Sequence, residues 1–230
     1  TDTSDAAGEV ISERPVQFDL AQLEHALTRF RGPQQQVPTM FSALKYQGQP
    51  LYKYARQGIE VPREARPIEV FRFELLSFDG VNASFIVHCS KGTYIRTLID
   101  DLGELLGSGA YVTALRRTHV GPFHAEQMRQ EAELVPLNDT KDWAGLDALL
   151  LPMDLALTGL PALSLNETQQ KRLVHGQTVQ LSDAELQLLG QAELPAVKLY
   201  GAAAQFIGVG SVAGAVLSVR RLLNTSSSQA

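Results

Sequence analysis

Residues 81–106 constrain this chain more than any other stretch, because they read as a strand running directly into a helix with an arginine at the join. From Val81 to Cys89, Phe85, Val87 and Cys89 alternate with Ser84, Ile86 and His88, the period-two pattern of a strand with one buried face. Tyr94 to Leu106 sets Ile95, Ile99, Leu102 and Leu106 on one helical face, with Gly92 permitting the tight turn and Thr93 as the expected N-cap. Arg96 then falls in the first turn, where the positive end of the helix dipole disfavours a cation by roughly 0.3–1 kcal/mol. A negative group must offset it. Asp100 at i+4 is one candidate, a surface pair worth about 0.3–0.5 kcal/mol. The other is a catalytic carboxylate or a phosphate reached across a cleft, where a charge-assisted hydrogen bond is worth about 1.5–3 kcal/mol.

The flanking sequence predicts an α+β chain. Phe18–Phe30 carries Leu20, Leu23, Leu27 and Phe30 at helical spacing, with Asp19 as its cap and Gly32-Pro33 as its stop. Pro38–Gly48 reads as a polar loop, and Leu51–Gln57 as a short helix stopped by Gly58. Ile68–Phe78 reads as a strand that the Asp79-Gly80 turn pairs antiparallel with Val81–Cys89. Tyr111–Val120 is predicted to be another strand, which would point Arg116 and Arg117 to opposite faces. Gln127–Leu151 is helix-prone, with Trp143, Leu146, Leu149 and Leu150 as expected packing anchors. Beyond it, Gln169–Val174 reads as a short helix. Val197–Tyr200, Phe206–Val212 and Ala215–Arg221 read as short strands of a small barrel or sandwich. The expected division is 1–157 for a mixed, largely antiparallel sheet with flanking helices, 158–224 for the small β-domain, and 225–230 for a disordered polar tail.

At 44% apolar and 20% charged residues, the composition is that of a globular protein. No apolar run approaches the roughly 18 residues that span a bilayer. The single cysteine, Cys89, excludes an internal disulfide framework, so a cytoplasmic location is expected. The five histidines show no metal-ligand spacing, and no metal is expected. A net charge of −5 sits poorly with polyanion binding, yet between residues 45 and 120 basic groups outnumber acidic ones 10 to 8. The mildly basic part is the part that carries the motifs.

Those motifs are Pro38-Thr39-Met40-Phe41-Ser42-Ala43-Leu44-Lys45, then Gly48, Leu51-Tyr52, Ala55-Arg56 and Gly58, then Ser90 to Thr97, and finally Ala114-Leu115-Arg116-Arg117. In this order and spacing they closely resemble the tRNA pseudouridine synthase B (TruB) family, from Thr1 to about Leu157. More weakly, the order of C-terminal elements resembles the PUA domain, which implies a β-barrel-like RNA-binding module at 158–224. The resemblance implies a pseudouridine synthase catalytic domain that isomerises uridine 55 in the T arm of tRNA. It further implies a monomer that needs no cofactor and no membrane.

The resemblance also implies roles. Arg96 matches the arginine that pairs with the family's nucleophilic aspartate, and Tyr94 matches a tyrosine lining the pocket near the base. Leu115 matches an apolar wall against the base. Lys45, Arg117, Lys91, Tyr52 and Arg56 match the substrate-binding surface, with Lys53, Arg63 and Arg66 as further phosphate contacts. Phe41 stands where the family commonly has tyrosine. The family's Gly-Ala-Leu-Asp-Pro segment, which carries the nucleophile, is not in these residues, and Asp2, Asp5, Asp19, Asp79, Asp100 and Asp101 lie outside any such motif. These 230 residues are therefore expected to be part of a longer synthase, inactive alone, with the carboxylate for Arg96 supplied from elsewhere. Two other classes were open to the residues: a non-catalytic RNA-binding or RNA-folding module, and a metabolic α/β enzyme, for which no glycine-rich phosphate loop is present.

Overall fold

The computed structural model describes residues 1–223, so the expected tail at 225–230 lies outside the described residues. Two compact units form, one from Thr1 to Arg116 and the other from Arg117 onward. Residue 158 lies within the second unit.

The first unit runs α1 (Leu20–Thr28), β1 (Gly32–Gln36), β2 (Lys45–Tyr46), β3 (Gln49–Pro50), α2 (Leu51–Ala55), β4 (Arg66–Phe78), β5 (Ala83–Cys89) and α3 (Ile95–Leu106). The expected β4–β5 hairpin is present, with Phe78 opposite Ala83 and Phe73 opposite Val87. Its loop is held by the Asp79 carboxylate, which accepts from the backbone N–H of Val81 and Asn82 at 2.9 and 2.7 Å. The predicted alternation along β5 is seen residue by residue: Phe85, Val87 and Cys89 turn inward, and Ser84, Ile86 and His88 outward.

One face of the antiparallel β1-β4-β5 sheet is covered by α1 and α3. Leu23, Ala26 and Leu27 of α1, Ile68, Val70 and Phe73 of β4, and Leu98 and Leu102 of α3 close a core with no side chain more than 5% exposed. Asp19 caps α1 in a reciprocal box with Gln22, as its position predicted. Gly32-Pro33 does not merely stop that helix; it opens β1, a strand too rich in glutamine to be read from apolar alternation.

Two further expectations fail in this unit. Thr93 is not the cap of α3, because its hydroxyl turns back to the Ser90 carbonyl at 2.9 Å; Tyr94 is the N-cap and has no side-chain capping bond. Tyr111–Val120 is not a strand. Val112 alone makes an isolated bridge, to Asp5, and ordered pairing resumes only at His119. A strand needs a neighbour to take its N–H and C=O groups. Among the described residues none does so between 113 and 118, and those residues are exposed. Arg116 and Arg117 are therefore not set on opposite faces of a strand.

Gly103 sits in the interior of α3, where glycine costs about 1 kcal/mol relative to alanine. The returning chain explains it. A Cβ there would lie 2.2 Å from the Ala110 nitrogen, and the Gly109 N–H donates to the Gly103 carbonyl at 3.0 Å.

The second unit runs β6 (His119–Val120), β7 (Phe123–His124), α4 (Glu131–Asp139), α5 (Trp143–Ala148), β8 (Ala162–Ser164), α6 (Glu167–Val174), β9 (Val179–Gln180), α7 (Asp183–Leu189), β10 (Glu193–Tyr200), β11 (Phe206–Ala213) and β12 (Val216–Leu222). The last three are the predicted strands, and the Ala213-Gly214 turn joins β11 to β12 as expected. With β8 and β9 they form a curled five-stranded sheet in the order β8-β10-β11-β12-β9, with β8 parallel to β10 and the other pairs antiparallel. Its core includes Leu163, Leu173, Val197, Leu199 and Leu217. The chain is thus α+β, as the sequence predicted. Trp143 and Leu150 are not packing anchors: they are 59% and 74% exposed. Trp143 opens α5 and Leu150 lies just beyond that helix; neither α4 nor α5 buries a residue fully.

Candidate active site

The β5–α3 join is pinned from two sides. The Ser90 N–H donates to the Glu69 carbonyl at 2.8 Å, and its hydroxyl accepts from the Glu69 N–H at 2.9 Å, so the loop starts from β4. Gly92 then turns the chain at φ +85°, a conformation in which an added Cβ would be strained. Tyr94 and Arg96 follow at the start of α3, partly exposed.

The Arg96 guanidinium spans two distant segments. Nη1 donates to Asp5 Oδ2 at 2.5 Å and lies 3.5 Å from the Thr3 carbonyl, while Nη2 donates to the Phe41 carbonyl at 2.8 Å. Among the described residues, Nε–H has no acceptor. The Arg96 and Asp5 side chains are 26% and 25% exposed, which puts the pair between a surface ion pair and a buried one.

Asp100 is not the partner of Arg96. Its carboxylate accepts from the Ser4 hydroxyl at 2.8 Å, so the i+4 neighbour instead anchors the segment that carries Asp5. Nor is Arg96 without a carboxylate here. The expectation that its partner must come from elsewhere overlooked Asp5, which sits 91 positions away in sequence.

Asp5 is itself fixed. Oδ1 accepts from the Thr3 hydroxyl at 2.7 Å and from the Ala7 N–H at 3.0 Å. The Thr3 bond, reinforced by Arg96 and Ala7 against the effect of burial, holds this carboxyl below its ordinary value. On either side of it, Ala6 N–H donates to Val112 and Val112 N–H donates to Ser4. A polar run such as Thr1–Asp5, whose side chains bond to its own backbone, is a signal for a fixed loop. It carries no signal for which arginine the loop will meet.

The other expected site residues are dispersed. Lys45, on β2, and Lys91 are exposed. Tyr52 lies in the first turn of α2, its N–H donating to the Ser42 carbonyl at 3.1 Å, and Arg56 lies over its ring at 5.4 Å. Leu115 is 62% exposed. Arg117 begins the second unit and is exposed. A surface groove of about 480 Å³ lies between α1 and the end of α3 and shares no residue with the Arg96 cluster. Among the described residues, no three His, Cys, Asp or Glu side chains come together to hold a metal, and no helix is long and apolar enough to cross a membrane.

Comparison with known proteins gives this geometry a family. Residues 1–95 match the N-terminal domain of the TruB family pseudouridylate synthases, 96–158 the tRNA pseudouridylate synthase B C-terminal domain, and 161–223 the C-terminal region of pseudouridine synthase II TruB. The tRNA pseudouridine synthase B of Haemophilus influenzae (strain PittEE) is 48% identical over 226 residues, covering 98% of this chain and 72% of that protein. This chain belongs to the TruB family. The synthase B of Pasteurella multocida (strain Pm70) is 52% identical over 212 residues, 92% of this chain and 67% of that protein. Among solved structures, the TruB-family fold seen here superposes on a chain of a Cbf5-Nop10-Gar1 complex with TM-score 0.64 at 21% identity, covering 90% of this chain and 62% of that one. A chain from an H/ACA RNP bound to a substrate RNA gives TM-score 0.61 at 19% identity, with coverage of 92% and 62%. The sequence therefore spans a little over three fifths of the matched solved chains.

Proposed function

We propose that this chain forms the larger part of a tRNA pseudouridine synthase that isomerises uridine 55 in the T arm. The reaction breaks the bond from C1′ to N1, turns the freed base and rejoins it through C5; the C5 proton is lost and N1 takes one up, so the product is an isomer of the uridine. A stacked uridine cannot be reached, so it is flipped out at a cost of a few kcal/mol, recovered through pocket contacts. The nucleophilic aspartate is, in this reading, outside residues 1–230. Arg96, locked through its two terminal nitrogens by Asp5 and the Phe41 carbonyl, turns its Nε–H to that aspartate and holds it ionised, a fixed three-nitrogen arrangement that a lysine ammonium cannot reproduce.

The observation that carries the proposal is the Arg96 guanidinium, which is immobilised by Asp5 and the Phe41 carbonyl while Nε–H is left to donate. Tyr94, two residues away, is the candidate to assist removal of the C5 proton, a contribution of about 10²–10⁴-fold. Leu115 supplies an apolar wall for the base. Lys45, Tyr52, Arg56, Lys91 and Arg117 contact the RNA, and residues 158–224 act as a PUA-like holding module. The protein works as a cytoplasmic monomer without metal or cofactor.

The intact protein, given a T-arm RNA tritiated at uridine C5, is expected to release the label. Arg96→Lys is expected to bind that RNA and lose most of the rate, and wild-type turnover by this variant would remove Arg96 from the mechanism. A second reading, a non-catalytic RNA-binding or RNA-folding module, is favoured by the lack of a Gly-Ala-Leu-Asp-Pro segment in residues 1–230. Residues 1–230 alone are expected to show no turnover in the same assay.

A further inference from the structure

Gln36 is one of three buried polar residues in the described chain, at 4% exposure, and it ends β1. Its side chain does not serve its own strand. Oε1 accepts from the Tyr94 N–H at 2.8 Å, and Nε2 donates to the Tyr94 carbonyl at 3.1 Å. That carbonyl also accepts the first helical bond of α3, from the Leu98 N–H at 3.0 Å. The amide therefore grips both backbone groups of the residue at which α3 begins, a residue with no capping side chain of its own.

Five positions further along the same segment, the Phe41 carbonyl takes Arg96 Nη2. One stretch, 36–41, thus fixes the backbone from which Arg96 projects and one nitrogen of its side chain.

We infer that Gln36 is a positioning residue of the synthase, setting the start of α3 and so the aim of Arg96 and Tyr94. The inference rests on the proposed function. Gln36 is too buried to meet substrate, and its effect passes through Tyr94. Primary amide is the one side-chain group of this length that offers an acceptor and a donor together at every pH. Methionine keeps the length and loses both bonds. Glutamate keeps the acceptor, but its ionised form aims a second anion-like oxygen at the Tyr94 carbonyl. Once protonated, the carboxyl again offers one donor and one acceptor.

Burial and the facing carbonyl raise the carboxyl's pKa. Arg66, the register partner of Gln36 on β4, opposes that rise, and Tyr94 and Arg96 are the titratable groups on the α3 side.

The test uses the intact protein on T-arm RNA, with kcat and KM measured from about pH 8.5 to about pH 6 and each variant normalised to wild type at the same pH. Gln36→Met is expected to lose about 100-fold in kcat, the scale of a small misplacement of reacting groups, with KM little changed. Gln36→Glu is expected to match it at high pH and to recover toward wild type as pH falls. Amide exchange should quicken at Tyr94 in Gln36→Met and stay slow at Phe73 in the core. Wild-type kcat in Gln36→Met, a Gln36→Glu profile that follows Gln36→Met at every pH, or loss of protection at Phe73 as well would each overturn the inference. A wild-type protein that makes no pseudouridine would overturn the proposed function instead, and the Gln36 clasp would then stand or fall on the exchange at Tyr94.

Discussion

Asp5→Asn isolates one bond of the Arg96 cluster. The asparagine Oδ1 can keep both contacts that Asp5 Oδ1 makes, to the Thr3 hydroxyl and the Ala7 N–H, while Oδ2 becomes an amide nitrogen. That nitrogen then confronts Arg96 Nη1, donor against donor, across what was a 2.5 Å bond. Flipping the amide is no remedy, because it sets the same nitrogen against the Ala7 N–H. A hydrogen bond between charged groups is worth about 1.5–3 kcal/mol. With both side chains about one quarter exposed, water recovers part of it, leaving about 1–2 kcal/mol.

The loss should be read locally, at the amides that tie the Asp5 loop to residue 112: Ala6, which donates to Val112 at 2.9 Å, and Val112, which donates to Ser4 at 3.0 Å. Their hydrogen exchange is expected to quicken by a factor of about 5–30 at neutral pH, with core amides such as Phe73 unchanged. Because the folded-state pKa of Asp5 is depressed, the stabilisation it gives is present above the ordinary carboxylate range and is lost as pH falls through the lowered value. The gap between wild type and Asp5→Asn should therefore close in acid. Equal protection at neutral pH, or a gap that persists well below pH ~3, would refute the reasoning.

Two predictions concern stability elsewhere. Among the described residues Thr97 Oγ1 is buried with no hydrogen-bond partner, so Thr97→Val, which removes the orphan and keeps the shape, should leave the thermal midpoint unchanged or raise it; a clear fall would reveal a partner for that hydroxyl. Leu217 is fully buried among Val197, Leu199 and Ile207, and Leu217→Ala should destabilise the second unit by about 2–5 kcal/mol in urea titrations followed by Trp143, the only tryptophan and a residue of that unit. A midpoint matching wild type would contradict the packing.

What the sequence disclosed was whatever depends on near neighbours. The β4–β5 hairpin, the Asp19 cap and the strand-to-helix join carry their causes within a dozen residues: alternation, Asp79-Gly80, Gly92. Even the electrostatic need of Arg96 was legible, since it follows from its place in a helical turn. Its solution was not. Asp100 had the right spacing but is occupied by Ser4, and the carboxylate that answers Arg96 lies at the far end of the unit in sequence. The same reason explains the strand expected at 111–120: Val112, Val120 and the threonines favour extension, but propensity cannot supply a neighbouring strand. Trp143 and Leu150 show that apolar character does not by itself specify burial, since an apolar residue on the surface is ordinary. Gln36 was invisible because two more glutamines precede it and only the fold distinguishes the last.

Gly103 gives the cluster an unexpected lever. The absent side chain lets residues 107–110 double back along α3, and that return delivers Val112 to the loop holding Asp5. Seven residues of helix, about 10 Å, separate Gly103 from Arg96. The alignment of an ion pair is thus governed from two turns away by a missing methyl group, so even alanine at that depth would speak to the chemistry through the backbone alone.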